Sequence, residues 1–232
     1  MKIFILVGGF GRRLKSVVSN VPKPMAPILG KPFLKYQINL IRKYFPNNKI
    51  YLLSHYLSQT IEEYFKNDEN IIIIKEKEPL GTGGSVKNAI RQLELSKNES
   101  IYVLNGDTYI KPNLNKMVEN IKSKVSILGS FQEKCDRYGT LTIDNDKILD
   151  FNEKNTGVKN AYINAGCYYF TDLFFFDSIE EEKFAIEDKF KEYLLSHSVD
   201  IFRYDDVFID IGIPQDYKKM INYIKELKNE NR

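Results

Sequence analysis

Short continuous apolar runs alternate along the chain with segments whose apolar positions recur every three or four residues. Ile3–Val7, Lys49–Ser54, Ile71–Ile74, Ile101–Asn105 and Val125–Phe131 read as strands. Pro32–Tyr44, Leu57–Phe65, Gly84–Leu95 and Asn113–Ser123 between them read as helices; in the first, Phe33, Tyr36, Ile38, Leu40 and Ile41 supply the apolar side. Strands that are apolar at every position need cover on both faces. The alternation therefore predicts an α/β fold with a mixed, mostly parallel sheet and helices on both faces. After Phe131 the rhythm changes. Gly139–Ile143 and Ile148–Asn152, joined by Asp144-Asn145-Asp146, and then Tyr162–Phe170 read as an antiparallel or mixed extension of the sheet. Helices follow at Leu173–Asp177 and Ile186–Leu195, then short strands around Ile201 and Phe208. Pro214–Arg232 reads as a closing amphipathic helix with Tyr217, Met220, Ile221, Ile224 and Leu227 inward. With no Pro/Gly/Ser linker and no internal repeat, residues 1–232 are expected to form one domain, with halves at 1–131 and 132–232.

Composition narrows the chemistry. Lys+Arg 34 against Asp+Glu 31 leave only +3, too weak a balance for a nucleic-acid coat or a basic membrane footprint, so neither is an expected partner. Two Cys cannot build a disulfide framework, and Ile3–Val7 is too short for a signal h-region or a membrane span. The expected compartment is the reducing cytoplasm. With only two His, a zinc site or a His-centred triad has little to draw on. The chemistry is left to carboxylates, Lys, Arg and glycine-rich loops.

Gly8-Gly9-Phe10-Gly11-Arg12-Arg13-Leu14 directly follows the first strand, where glycines let backbone N–H groups approach an anion closely. Leu14 stands where a dinucleotide fingerprint needs its third glycine, and no Gly-Lys-Ser/Thr follows to make a Walker A loop. Val21-Pro22-Lys23-Pro24-Met25 comes next; prolines on either side of one lysine hold the chain extended and fix where its ammonium points. Each segment alone also fits a plain turn. Together they gather Gly amides, Arg12, Arg13 and Lys23 around one loop, which suits a polyphosphate.

This pairing resembles the GGxGTRL…PKPM signature of the sugar-1-phosphate nucleotidyltransferases. The resemblance continues in order through Glu78-Pro79-Leu80-Gly81-Thr82-Gly83-Gly84, Asn105-Gly106-Asp107, Phe151-Asn152-Glu153-Lys154, Tyr162-Ile163-Asn164-Ala165-Gly166 and Phe208-Ile209-Asp210-Ile211-Gly212-Ile213-Pro214. Six ordered motifs span the chain. Within the family, VVSNVPKPMAPILGKPFL most resembles the guanylyltransferases acting on D-glycero-α-D-manno-heptose 1-phosphate. The resemblance implies a Rossmann-like, GT-A-like fold whose first half binds nucleotide and whose second half binds sugar. It implies attack of a sugar 1-phosphate oxygen on the α-phosphorus of GTP, releasing pyrophosphate and giving GDP-heptose for a surface glycan such as capsule, lipopolysaccharide or S-layer. The partners implied are GTP and a sugar 1-phosphate, with the chain a monomer or a homodimer.

The implied reaction needs no general base, because the nucleophile is a phosphate already ionised at neutral pH. Its demand is to neutralise and align two anions. Arg13 and Lys23 are the expected phosphate clamp, with Val7, Gly8, Gly9, Gly11 and Arg12 as nucleotide contacts. Asp107, just past an apolar strand, and Asp210, after Val207-Phe208-Ile209, are the expected ligands of Mg²⁺, a cation that shares oxygen ligands with phosphates and water. Gly81, Thr82 and Gly83 are expected at the base, where Glu78 would accept from the N1 and N2 donors of guanine. Gly139, Glu153, Lys154 and Asn164 are expected at the sugar phosphate. Asn164-Ala165-Gly166 also fits a β-bulge, and Glu187 and Asp188, opening a helix, fit a complement to its dipole and are left out of the site. Two positions depart from the family pattern: Arg12 replaces the usual Thr, and Val7 the usual Ala. Readings left open are a mannose or glucose 1-phosphate nucleotidyltransferase, a silent nucleotide-sugar-binding regulator and, more remotely, a dinucleotide-dependent oxidoreductase.

Overall fold

A computed structural model describes the chain except Phe10, Gly11, Lys15, Ser19, Glu153, Asn155, Asn231 and Arg232, and the side chain of Arg12. The first half runs β1 (Lys2–Leu6), β2 (Pro27–Ile28), β3 (Lys31–Pro32), α1 (Phe33–Tyr44), β4 (Ile50–Ser54), α2 (Ser58–Phe65), β5 (Ile71–Lys75), α3 (Gly81–Gln92), β6 (Ile101–Asn105), β7 (Thr108–Tyr109) and α4 (Leu114–Glu119). The second runs β8 (Val125–Lys134), β9 (Thr140–Asp144), β10 (Lys147–Asn152), β11 (Lys159–Phe170), α5 (Phe174–Asp177), α6 (Ile186–Leu194), β12 (Val199–Tyr204), β13 (Ile209–Asp210) and α7 (Pro214–Glu230).

Among the described residues one nine-stranded sheet has the order β5-β4-β1-β6-β11-β8-β12-β10-β9. β5, β4, β1 and β6 pair in parallel. β11 is antiparallel to β6 and β8, β12 rejoins β8 in parallel, and β10 and β9 close the edge as an antiparallel hairpin. Parallel pairing thus dominates the first half, and the second makes the sheet mixed. The chain places β4 and β5 on one side of β1 and β6 on the other. That reversal opens a crevice beyond the carboxyl ends of β1 and β6, where open α/β sheets bind ligands.

Strand alternation divides the core into two layers. Phe4, Tyr51, Leu53, Ile101 and Val103 face α3, α5 and α6, which contribute Val86, Phe176 and Phe190. Ile3, Ile5, Ile50, Leu52 and Tyr102 face α1, α2 and α4, which contribute Ile38, Ile61 and Met117. A third cluster seats α7, through Tyr217, Met220 and Ile224, on the β2–β3 and β7–β13 ribbons. Helices therefore cover both faces, as the apolar runs require.

Two helices differ from the sequence expectation by three residues or more. α3 begins at Gly81, three residues early, because Gly83 and Gly84 donate to the Phe184 carbonyl at 3.0 and 3.2 Å and are drawn into its first turn. α4 stops at Glu119 because the Lys122 and Ser123 amides are taken by the Asp200 carboxylate at 2.6 and 2.7 Å. Asp200 is only 4% exposed on β12 and also pairs with Lys147. Burial by itself pushes its carboxyl up; the hydrogen bonds from Lys147, Lys122 and Ser123 outweigh burial and hold it below the ordinary value.

A folded-state value below the unfolded one means the stabilisation is present above the unfolded value and is lost as pH falls through the folded one. Asp200→Asn should cost about 1–3 kcal/mol at neutral pH. The gap from wild type should narrow below about pH 4. Urea melts at neutral and acid pH measure it; an equal gap at both would contradict the assignment.

Candidate functional site

The crevice is organised around one ammonium. Lys23 Nζ lies 2.6 Å from Asp107 Oδ2 and 3.1 Å from Asp210 Oδ1, with the lysine side chain only 10% exposed. Each partner is fixed by local backbone. Lys23–Met25 is a 3-10 turn after an extended Pro22, closed by Met25 N to Pro22 O at 2.8 Å, with Pro24 and Met25 buried. The prolines therefore turn the chain at Lys23 instead of extending it through the segment. Asp107 sits between β6 and β7. In the β7–β13 ribbon Asp210 lies opposite Thr108, so two distant carboxylates become neighbours. The Ile211 amide donates to Asp107 O at 3.0 Å, and the Gly212 amide donates to Asp210 Oδ1 at 2.8 Å.

Below this triad Gln37, 2% exposed on α1, donates through Nε2 to Asn105 O at 2.6 Å and Thr108 O at 3.0 Å. These carbonyls flank Asp107, so one buried amide fixes the turn that presents it. The sequence carries no signal for this, since Gln37 looks like an ordinary helix polar position.

Three adjoining cavities meet at Asp107, which lines all of them. A cavity of 320 Å³ is bordered by Gly8, Gly9, His55, Glu76, Gly81 and Thr82. A smaller one of 200 Å³ lies among Gly9, Arg13, Lys23 and Gly212. The largest, 810 Å³, is bordered by Arg13, Arg137, Gly139, Lys154, Asn164 and Glu187, among others. Cationic groups thus line the centre while carboxylates sit at the junction. Two carboxylates against one ammonium leave one formal negative charge over. Their oxygens already converge on a positive group, and the set suits a hard divalent cation that takes one or two carboxylates and completes its sphere with phosphate and water. Among the described residues no group of three or more His, Cys, Asp or Glu gathers as a closed cage. Burial, followed by the Asp210 charge, raises the Tyr138 phenol far above its ordinary value, so it stays protonated beside the large cavity.

The nucleotidyl transferase family model matches residues 2–226 of this chain. The chain belongs to that family. The nucleotidyl transferase is 42% identical over 221 residues to a D-glycero-α-D-manno-heptose 1-phosphate guanylyltransferase of Campylobacter jejuni, covering 94% of this chain and 97% of that one. It is 39% identical over 227 residues to the protein of the same description in Aneurinibacillus thermoaerophilus, covering 94% and 96%. Among solved structures it resembles HddC from Yersinia pseudotuberculosis complexed with GMP-PN, with a TM-score of 0.83, 33% identity, and 96% and 99% of the two chains covered. The GT-A-like fold expected from the sequence is shared with these neighbours.

The structure of the nucleotidyl transferase brings most of the expected residues to the three cavities. Gly8, Gly9, Gly81 and Thr82 border the 320 Å³ cavity, Arg13 and Lys23 the two beside it, and Gly139, Lys154, Asn164 and Asp210 the largest. Gly11, Glu153 and the Arg12 side chain lie outside the described residues. Three expectations are revised. Val7 is fully buried, and its amide donates to Leu53 O at 2.9 Å, extending the β1–β4 pairing. The Gly83 amide is committed to Phe184, and a Cβ there would meet the Phe184 ring at 2.1 Å, so this glycine serves close packing instead of a base. Glu78 is exposed and does not border the 320 Å³ cavity; Glu76 does, its carboxylate engaged by Ser85 and by the Leu80 amide at 3.2 Å.

Asn164-Ala165-Gly166 forms the β-bulge that the sequence also allowed. β11 breaks register between Asn164 and Tyr168, a bulge, and this leaves Asn164 bordering the large cavity. Gly166 has φ +68, and a Cβ there would lie 2.1 Å from Asn105 Nδ2. Glu187, Asp188, Lys191 and Arg137 also border that cavity, although the place of the first two at a helix start predicts only a complement to its dipole. Cys135 and Cys167 are buried free thiols, and burial pushes Cys167 up to about 12, which makes it unreactive.

Gln37→Leu should leave two buried carbonyls unpaired and lower stability by about 1–3 kcal/mol. Freed from its tie, the Asp107 turn should also bind divalent cation more weakly. Thermal melts and a cation titration check both; unchanged cation affinity in a folded variant would contradict the positioning role.

Proposed function

We propose that this chain transfers GMP from GTP to D-glycero-α-D-manno-heptose 1-phosphate, releasing pyrophosphate and giving GDP-heptose for surface-glycan assembly. The observation that carries the reading is the junction at Asp107: a glycine-rimmed cavity, a small cationic cavity and a large one of mixed lining all meet beside the carboxylate pair. Two substrates entering from opposite sides bring their phosphates together there. Near-complete coverage of guanylyltransferases of this description supports the choice of heptose and of guanine.

In this reading Gly8 and Gly9 border the nucleotide, Arg13 and Lys23 hold its phosphates, and Lys154 and Arg137 receive the sugar phosphate. Asp107 and Asp210 hold Mg²⁺, which when bound neutralises phosphate charge and favours the leaving pyrophosphate. Lys23 is placed to exchange the carboxylates for phosphate oxygens as substrate arrives, because it already stands at the junction. The residues need move no proton: the attacking oxygen is ionised, and the nearby Tyr138 phenol is held protonated. Among the described residues no helix is long and apolar enough to cross a membrane. We place the reaction in the cytoplasm, carried out by a monomer or homodimer.

Pyrophosphate release tests the proposal. GTP, Mg²⁺ and D-glycero-α-D-manno-heptose 1-phosphate should turn over faster than mixtures with ATP, UTP or CTP, or with mannose or glucose 1-phosphate. Asp107→Ala and Asp210→Ala should each nearly abolish turnover in a folded chain. Preference for UTP or CTP, or full activity in either variant, would contradict it.

A further inference from the structure

We infer that Glu187 is a positioning residue that ties the nucleotide cavity to the sugar-phosphate cavity through its two carboxylate oxygens. Oε2 accepts from the Thr82 hydroxyl at 3.1 Å, and Oε1 accepts from the Tyr168 hydroxyl at 2.9 Å. Thr82 lies in the first turn of α3 and borders the 320 Å³ cavity. Its oxygen in turn accepts the Ile186 amide at 2.8 Å, so its proton is directed at Glu187. On the other arm, Asn164 Nδ2 donates to the Tyr168 hydroxyl at 2.8 Å, while Asn164 Oδ1 accepts the Gly166 amide at 2.9 Å. The Asn164 amide is thereby fixed in one orientation, with its remaining N–H and a lone pair left for a ligand of the 810 Å³ cavity.

Every donor in this chain has one direction. Thr82 and Tyr168 both give their protons to Glu187, and Asn164 gives one to Tyr168. Burial, then the Glu187 charge, keeps the Tyr168 phenol protonated, as a donor must be. The carboxylate itself stands on a rigid platform. Phe190, one turn along α6, stacks on Phe151 at 4.9 Å and on Tyr168 at 5.8 Å. A solvated acid that merely complements a helix dipole would not reach two different segments of the site. Two hydrogen bonds to groups far apart in sequence mark a tie between them. The inference rests on the reading of the two cavities as nucleotide and sugar-phosphate sites.

The test is a KM split with thermal stability measured alongside. Thr82→Val should raise KM for GTP and leave that for the sugar 1-phosphate, and Tyr168→Phe should do the reverse. Glu187→Ala should raise both by about tenfold, the size expected on losing hydrogen bonds to a charged group. Adding either single change to Glu187→Ala should then have little further effect. Should Glu187→Ala fail to fold, Glu187→Gln keeps the volume while exchanging one acceptor for a donor, and should raise at least one KM. Glu187 variants that lose thermal stability with both KM values unchanged, or double variants with fully additive effects, would overturn the inference alone. A wild-type chain that binds neither GTP nor sugar 1-phosphate by calorimetry would overturn the functional reading and the inference with it.

Discussion

Everything in the site depends on holding two carboxylates close together, a costly arrangement without a cation between them. Lys23 supplies one, at 2.6 and 3.1 Å from Asp107 and Asp210. Three separate structural devices converge on this point. A proline-flanked 3-10 turn aims Lys23, the Gln37 amide fixes the turn of Asp107, and a two-residue ribbon carries Asp210 across to Thr108. All three are also packed into the fold, since Met25, Gln37 and Ile209 are buried. They serve to concentrate charge at one crevice.

The same economy explains why the chain can be poor in His and Cys. A reaction between two phosphates requires neutralisation and alignment, and proton transfer can be dispensed with. Around the crevice the titratable groups follow suit. Tyr138 and Tyr168 are held protonated, and Cys167 is buried and inert. The weak global charge of +3 conceals a local separation, with cations lining the central cavity and carboxylates at its junction.

The sequence made the layered architecture legible because apolar periodicity is a local property. β6 is bounded as expected at Ile101–Asn105, and α1 within one residue of the expected Pro32 start. The ordered motifs likewise led to Arg13, Lys23, Asp107, Asn164 and Asp210. What escaped was set by long-range contact. Ribbons of two residues carry no period, and α4 is cut short by Asp200 from a strand far along the chain. Gly83 looks like a loop glycine but is shaped by the Phe184 ring. Glu78 and Glu76 look equivalent in a charged run, and only the fold shows which borders the cavity. Gln37 and Glu187 each act through partners that are remote in sequence, so nothing near either residue marks its role.

In the proposed reaction the Asp107–Asp210 pair is the cation centre at which both substrates meet. Its most direct measurement is a titration of Mn²⁺, followed by electron paramagnetic resonance, into the chain saturated with GTP. One tight site per chain is expected, weakened in Asp107→Ala and in Asp210→Ala by more than the roughly 10–100-fold that loss of a group merely supporting a ligand costs. Equal Mn²⁺ affinity in the wild type and both folded variants would contradict it.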